Sequence, residues 1–318
     1  MSGPSRLVLG LLDAVLAVFV VPAALYLKVI RRVGVFRLPL SKKVLFAIGV
    51  FPIRDHYYEP QFDNRHPKPP FSDDRRLPGI DWNLPGQLAL LDRFTYAGEL
   101  TGIPSSKPAE LGFHFNNRNF ESGDAEFWYQ LIRTVKPKRI FEIGSGSSTL
   151  MAIRATRENQ RETGLTCRHV CVEPYEMPWL EQTGITIVRS KVEVLDPSFF
   201  SELADGDILF IDSSHMIRPQ GDVLYEYLEL LPTLSKGVIV HVHDIFSPKN
   251  YLQLWLDDQV RFWNEQYLLE AFLSHNHDWQ IIGAVNQLKN AHYDRLKAVA
   301  PYLTPDRQPG SFYLQRVA

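Results

Sequence analysis

The sequence predicts an α/β chain built on a doubly wound, mostly parallel sheet. Two observations carry this. From about residue 123 onward, short apolar runs alternate with helical segments, the βαβ rhythm of a parallel sheet. The inner runs, such as DILFID at 207–212 and GVIVHV at 237–242, are continuously apolar, as strands covered on both faces must be. A third observation places a ligand. Residues 138–150, KRIFEIGSGSSTL, read as a strand, a Gly-rich turn and a helix start. That order aims backbone N–H groups and a helix N-terminus at one point above the sheet.

The elements follow in order. Leu7 to Leu27 is nearly all apolar over about the length that spans a bilayer, interrupted by Asp13 and Pro22. Lys28, Arg31, Arg32, Arg37, Lys42 and Lys43 follow it, and only Arg6 precedes it, so the positive-inside rule puts the rest of the chain in the cytoplasm. A helix lying in the interface remains the alternative, because Asp13 is costly at mid-bilayer. Residues 1–37 are therefore expected to form a membrane-associated helix with a basic flank. Residues 38–122 are Pro-rich and irregular, with a short helix at Gln87–Leu100. Within them His56, Tyr57, Tyr58 and Glu59 read as a packed arm in preference to a pocket wall.

Residues 123–318 form the expected main domain. Gly123–Val135 is a helix with Asp124 and Glu126 in its first turn, where the dipole favours acids. Strands are expected at Arg139–Ile143, His169–Glu173, Thr186–Arg189, Asp207–Asp212, Gly237–His241 and Trp279–Gly283. Helices are expected at Leu150–Thr163, Met177–Gln182, Pro197–Leu203, within Gly221–Leu231 and at Val260–Ser274. Ser311–Arg316, after Pro309-Gly310, is a last strand able to pair antiparallel. The aromatic stripe of residues 251–273 reads as core packing.

In a sheet of this kind functional residues gather at the carboxyl ends of the strands. The first strand offers Glu142, Gly144, Ser145, Gly146 and Ser148; its glycines let a ligand approach the main chain. Glu142 would repel a pyrophosphate and suit a ligand with an ammonium or hydroxyls. No Lys follows the glycines, so this is not a P-loop, and the acid disfavours a dinucleotide turn. The second strand offers Glu173, where an acid can accept ribose hydroxyls about 20–30 residues after the turn. The third gives no assignable residue. The fourth and fifth offer Asp212, His215, His243 and Asp244. Such a set can bind a divalent cation, or an imidazole in it can remove a proton from a hydroxyl. His241, on the alternate face from Asp244, reads as a satisfied core histidine.

Glu142-x-Gly144-x-Gly146 resembles motif I of the class I S-adenosylmethionine (SAM) methyltransferases, with Ser148 where a last Gly is common. The FIDSSH and HVHD segments at 210–215 and 241–244 resemble the branch that methylates sugars and small hydroxylated molecules on oxygen. The resemblance covers residues 123–316. It implies a Rossmann-like seven-stranded sheet closed by an antiparallel strand. It also implies S-adenosyl-L-methionine held by Glu142, Gly144, Ser145, Gly146, Ser148, Glu173 and Asp212. Mg2+ would sit between Asp212 and Asp244, with His243 where some relatives keep a second acid. His215, His243 and Asp244 are the expected catalytic groups, His215 or His243 acting as base. The acceptor would be a glycan, glycolipid or small hydroxylated metabolite, lipid-linked if the N-terminus sits on a membrane.

Other classes are disfavoured. A formal net charge of −2 gives no nucleic-acid footprint. The two cysteines, Cys167 and Cys171, stand four apart on one strand face and cannot easily bridge, which fits a reducing compartment. A module that binds SAM or a nucleoside without turnover fits the Gly turn equally well, but leaves the Asp/His cluster unexplained.

Overall fold

The computed structural model describes residues 3–53, 60, 70–175 and 177–318, with backbone alone at 3–6. His56, Tyr57, Tyr58 and Glu59 lie outside the described residues. The chain divides into two compact units, Met1–Lys68 and Pro69–Ala318.

In the first unit, helix α1 runs over Gly3–Val33 with Pro22 inside it. Its stretch Leu7–Val33 is long and apolar enough to cross a membrane, and none of its most apolar window is buried. Gly34, at φ +99, turns the chain through a short 3-10 segment, Val35–Arg37, into α2, Pro39–Ile48. Ile30, Val35 and Leu45 pack together at this turn.

The second unit holds α3 (Leu84–Arg93), α4 (Ala97–Leu100), α5 (Asp124–Val135), β1 (Arg139–Ile143), α6 (Ser147–Thr163), β2 (Arg168–Val172) and β3 (Thr186–Val188). β4 (Ile208–Ile211), α7 (Asp222–Tyr225), β5 (Ile239–Val242), α8 (Gln253–Asp257) and α9 (Glu265–Leu273) follow. β6 (Trp279–Ala284), α10 (Val285–Ala291), α11 (Tyr293–Val299) and β7 (Phe312–Arg316) complete it. The seven strands lie in the order β3-β2-β1-β4-β5-β7-β6. β1 to β5 pair in parallel, and β7 runs antiparallel between β5 and β6. The expected sheet and its antiparallel closing strand are both present.

Strand alternation splits the core into two layers. Ile140, Ile208, Phe210 and Ile239 face α5 and α6, among Phe127, Trp128 and Met151. Phe141, Ile143, Leu209, Ile211, Val240 and Val242 face the opposite layer, with Val223, Tyr227, Leu230 and Leu269. Residues 70–122 are not a separate arm. Leu90, Leu91, Phe94, Leu100, Phe113, Phe115 and Phe120 join the first layer. Asn83 Nδ2 also donates to Ile281 O at 2.9 Å, and Gln87 Oε1 accepts from Ala284 N at 2.7 Å.

Some elements differ from expectation. The helix expected over 260–274 begins only at Glu265, because Asn264 and Glu265 donate their N–H groups to His215 O. The segments at 177–182 and 197–203 shrink to 3-10 turns, Leu180–Gln182 and Pro197–Phe200. The helix expected over 87–100 breaks into α3 and α4 around the extended Phe94.

Candidate functional site

The Gly turn joins β1 to α6. Gly144 sits at φ +79, and a Cβ there would lie 2.1 Å from Asp212 O. Its glycine is therefore demanded by the end of the neighbouring strand, and this brings the β1 and β4 ends together. Asp212 N completes the junction by donating to Ile143 O at 2.8 Å. Gly146 N donates to Thr149 Oγ1 at 3.1 Å, which caps α6. Ser145 Oγ donates to Glu173 Oε2 at 3.3 Å.

Glu142 and Ser148 are not where the ligand-binding expectation put them. Glu142 shares strand parity with Ile140, so it points under the first turn of α6 and is fully buried. Its Oε2 accepts from Ser148 Oγ at 3.2 Å and Thr149 Oγ1 at 2.9 Å, and its Oε1 pairs with His169 Nε2. Cys171 Sγ lies 3.9 Å from His169 Nε2. Burial first, and then the Glu142 charge, push the Cys171 thiol well above its ordinary pKa. The side chains of Glu142 and Ser148 thus anchor the helix that carries the turn and do not face the cavity.

The cavity lies on the other side of the turn. It encloses about 410 Å3 and is lined by Ile143, Gly144, Glu173, Tyr175, Val192, Asp212, Ser213 and Asp222, among others. That size falls within the range of small-molecule sites, about 300–1,000 Å3. Glu173, at the end of β2, is 7% exposed. Its Oε1 accepts from Tyr175 N at 3.0 Å. It stands on the cavity wall.

Asp212 belongs to both this cavity and the rim beyond β4 and β5. Asp212 Oδ1 lies 3.3 Å from His215 Nε2 and 3.4 Å from His243 Nδ1. Asp244 Oδ2 lies 3.6 Å from His215 Nε2, and Asp244 Oδ1 3.7 Å from His243 Nδ1. The expected four residues therefore converge. His215 and Asp244 reach this point from left-handed backbone, at φ +57 and +58, just past their strands.

Three further groups, not singled out from the sequence as site residues, complete the rim. Glu265 Oε2 accepts from His215 Nδ1 at 2.7 Å, which leaves Nε2 aimed at the two acids. Trp263 lies against the His215 ring, with centroids 4.3 Å apart. Asp124 accepts from Gly310 N and Ser311 N at 3.2 and 2.7 Å, and lies 3.8 Å from His243 Nε2. Asp124 stood out only as a first-turn acid. No local pattern links Glu265 or Trp263 to this site.

The charges are mutually dependent. Burial alone would lower both histidines, but the surrounding carboxylates hold His215 and His243 well above their usual values. Burial would raise Asp212, but the two imidazoles hold its carboxyl well below the usual range. Burial instead raises Asp244. The carboxylates thus favour the protonated form of both imidazoles. The donor atoms of Asp212, His215 and Asp244 lie within 4.8 Å of one another. Two hard oxygens and an imidazole already fixed through its other nitrogen fit a divalent cation.

His241 is a core residue, as expected, but not a satisfied one. Both ring nitrogens are buried without a hydrogen-bond partner, and Tyr313, Phe210 and Trp128 pack around the ring at 4.1, 4.6 and 5.1 Å. Burial first, and then the nearby His243, depress its pKa well below the ordinary value.

Residues 141–245 match a family model described as a methyltransferase domain. An uncharacterised protein of Archaeoglobus fulgidus is 30% identical over 143 residues, 42% of this chain and 63% of that protein. The chain thus spans less than two thirds of that relative's length. Among solved structures, an O-methyltransferase from Bacillus cereus in complex with SAH is 12% identical. The alignment covers 73% of this chain and 90% of that one, at a TM-score of 0.36. CalS11, a TDP-rhamnose 3'-O-methyltransferase of calicheamicin biosynthesis, is 17% identical over 76% of this chain and 99% of that one, at 0.39.

Proposed function

From the methyltransferase-domain match over residues 141–245 as the premise, we propose that the chain is a class I S-adenosylmethionine-dependent enzyme that transfers the methyl group of SAM to a hydroxyl oxygen. The acceptor would be a glycan, a glycolipid or a small hydroxylated metabolite. The observation that carries this reading is the shared position of Asp212, which lines the cavity and also belongs to the Asp/His rim. Donor pocket and hydroxyl-activating groups are then neighbours.

In this reading Gly144, Ser145 and Gly146 border the donor and Glu173 accepts from its ribose hydroxyls. Transfer is in line, and much of its rate comes from positioning the sulfonium methyl against the acceptor oxygen. Asp212, Asp244 and His215 Nε2 would hold Mg2+, which when bound supplies an electrophile that lowers the acceptor hydroxyl's pKa. Holding a cation would engage Asp212 and Asp244 and leave Asp124 as the one carboxylate still favouring protonated His243, so that His243 would be the group to take the acceptor proton. Glu265 fixes His215, and Asp124 fixes the far side of His243.

The test is calorimetry with SAM, followed by turnover of Asp244→Ala and His243→Ala. SAM binding with loss of turnover in both variants supports the proposal. Full turnover in both overturns the roles given to the rim, and absence of SAM binding overturns the enzyme. Mass analysis of extracts incubated with labelled SAM identifies the acceptor.

The apolar stretch of α1, with basic residues after it, supports a second part of the reading: attachment to the cytoplasmic face of a membrane. A full-length chain that stays soluble and monomeric without detergent would remove this part and leave the chemistry untouched.

A further inference from the structure

A single apolar helix needs only its own length to hold a chain in a bilayer. The N-terminal unit carries more than that. Where α1 ends, the turn at Gly34 folds α2 back onto the helix end through Ile30, Val35 and Leu45. α2 turns Leu45 inward. Leu40, Val44 and Ile48, each four residues from the next, then form an outward apolar stripe, 80%, 55% and 68% exposed. Phe36, on the turn itself, is 77% exposed. A stripe of this kind on a helix at the end of a bilayer-length segment suits the acyl boundary of a membrane.

The sequence through this turn is basic. Between Asp13 and Asp55 the sequence holds Lys28, Arg31, Arg32, Arg37, Lys42, Lys43 and Arg54, and no acid. The turn also borders an open groove of about 410 Å3, lined by Arg31, Gly34, Val35, Phe36, Lys42, Phe46 and Phe51. Its two cations stand over its aromatic walls: Arg31 is 5.0 Å from the Phe51 ring centre and Lys42 5.7 Å from that of Phe46. Two cations above an apolar wall form the complement of a phosphate joined to an acyl chain.

We propose that this turn binds the phosphate of an anionic phospholipid headgroup, with α2 lying in the interface along Leu40, Val44 and Ile48. This rests on the membrane attachment proposed above and adds to it a choice of lipid. Arg31 and Lys42 face the phosphate, and the aromatic walls meet the start of the acyl chains. The N-terminal unit then prefers anionic lipid, which a plain apolar span does not.

The experiment uses the full-length chain in mixed micelles of phosphatidylcholine and phosphatidylglycerol, with retained lipid counted by native mass spectrometry. Two cations at roughly 1 kcal/mol each predict enrichment of phosphatidylglycerol by roughly tenfold or more. The Arg31→Gln/Lys42→Gln variant, with helicity checked by circular dichroism, should lose roughly that tenfold share of the preference. Equal retention by the unaltered chain, or unchanged preference in the variant, overturns the proposal. Displacement of phosphatidylglycerol by inorganic phosphate overturns it too, in favour of a free-anion site. Cosedimentation with phosphatidylcholine vesicles separates the two levels. A chain that sediments without lipid preference loses only the headgroup site, whereas one that stays in solution loses the anchor as well.

Discussion

Among the described residues, two acid–imidazole clusters have similar donor groups and opposite character. One is Glu142, His169 and Cys171; the other is Asp212, His215 and Asp244. The first is sealed beneath α6, and both Glu142 oxygens are engaged by neighbouring side chains. The second borders a cavity through Asp212, and its carboxylates face imidazoles at 3.3–3.7 Å. Strand parity and position account for the difference. Glu142 is the penultimate residue of β1 and must point into a helix layer. Asp212 and Asp244 come after their strands end, where the chain leaves the sheet and side chains reach the rim. Residue type alone does not separate a structural cluster from a chemical one.

The largest effect should come from the open cluster. Asp244→Asn should lower methyl transfer by about 10²-fold or more, with SAM affinity in calorimetry nearly unchanged. Equal loss of binding and turnover would make the two clusters alike. The sealed cluster should respond in stability instead. Glu142→Ala leaves His169 without its buried partner and should lower unfolding free energy in urea by about 3–5 kcal/mol, with turnover per folded molecule largely kept. A variant as stable as the parent but inactive would return Glu142 to the ligand.

Gly144 joins the two regions. Gly144→Ala should cost about 1–3 kcal/mol, because its Cβ must displace the Asp212 carbonyl, and SAM affinity should fall with it. Loss of stability with full affinity would uncouple the turn from the rim. Glu173→Gln should weaken SAM binding by about tenfold, through loss of a charge-assisted hydrogen bond, with little change in melting temperature. The smallest effect belongs to His241→Phe, which should be neutral within about 1 kcal/mol at neutral pH, since neither ring nitrogen has a partner to lose. Its pH dependence is more telling. The folded-state pKa of His241 is depressed, so below the unfolded value of about 6.5 the unfolded chain takes up a proton that the folded chain refuses. The parent should then lose about 1.4 kcal/mol per pH unit relative to the variant as pH falls further. Parallel stability curves for the two proteins would place a charged His241 in the core.

Much of this was readable in the sequence, for reasons that differ by residue. The Gly turn, Glu173 and the four rim residues are tied to strand ends, and continuous apolar runs mark strand ends well. The facing of Glu142 followed from its parity with Ile140, but ligand chemistry at a strand end argued the other way. Glu265 was out of reach because it lies 50 residues from His215 and meets it only through the path of the chain after β5. Asp124 was visible as a helix-start acid, whereas its bonds to Gly310 and Ser311 depend on where β7 enters the sheet. The two helices after β6, α10 and α11, are short and break at His292, too brief for a helical period to stand out.

The place of β7 has a consequence for how the molecule is made. It is the last strand in chain order, yet it fills the gap between β5 and β6. The segment just before it supplies the two N–H groups that fasten Asp124 beside His243. During synthesis the strands that border Gly144 and Glu173 can pair as soon as β1 to β4 have emerged. The β5 edge and the Asp124 side of the rim must wait for residues 309–316. A ribosome-bound chain stalled before that point would present a donor pocket with an unfinished acceptor side, and its β5 edge would be open to the wrong partner.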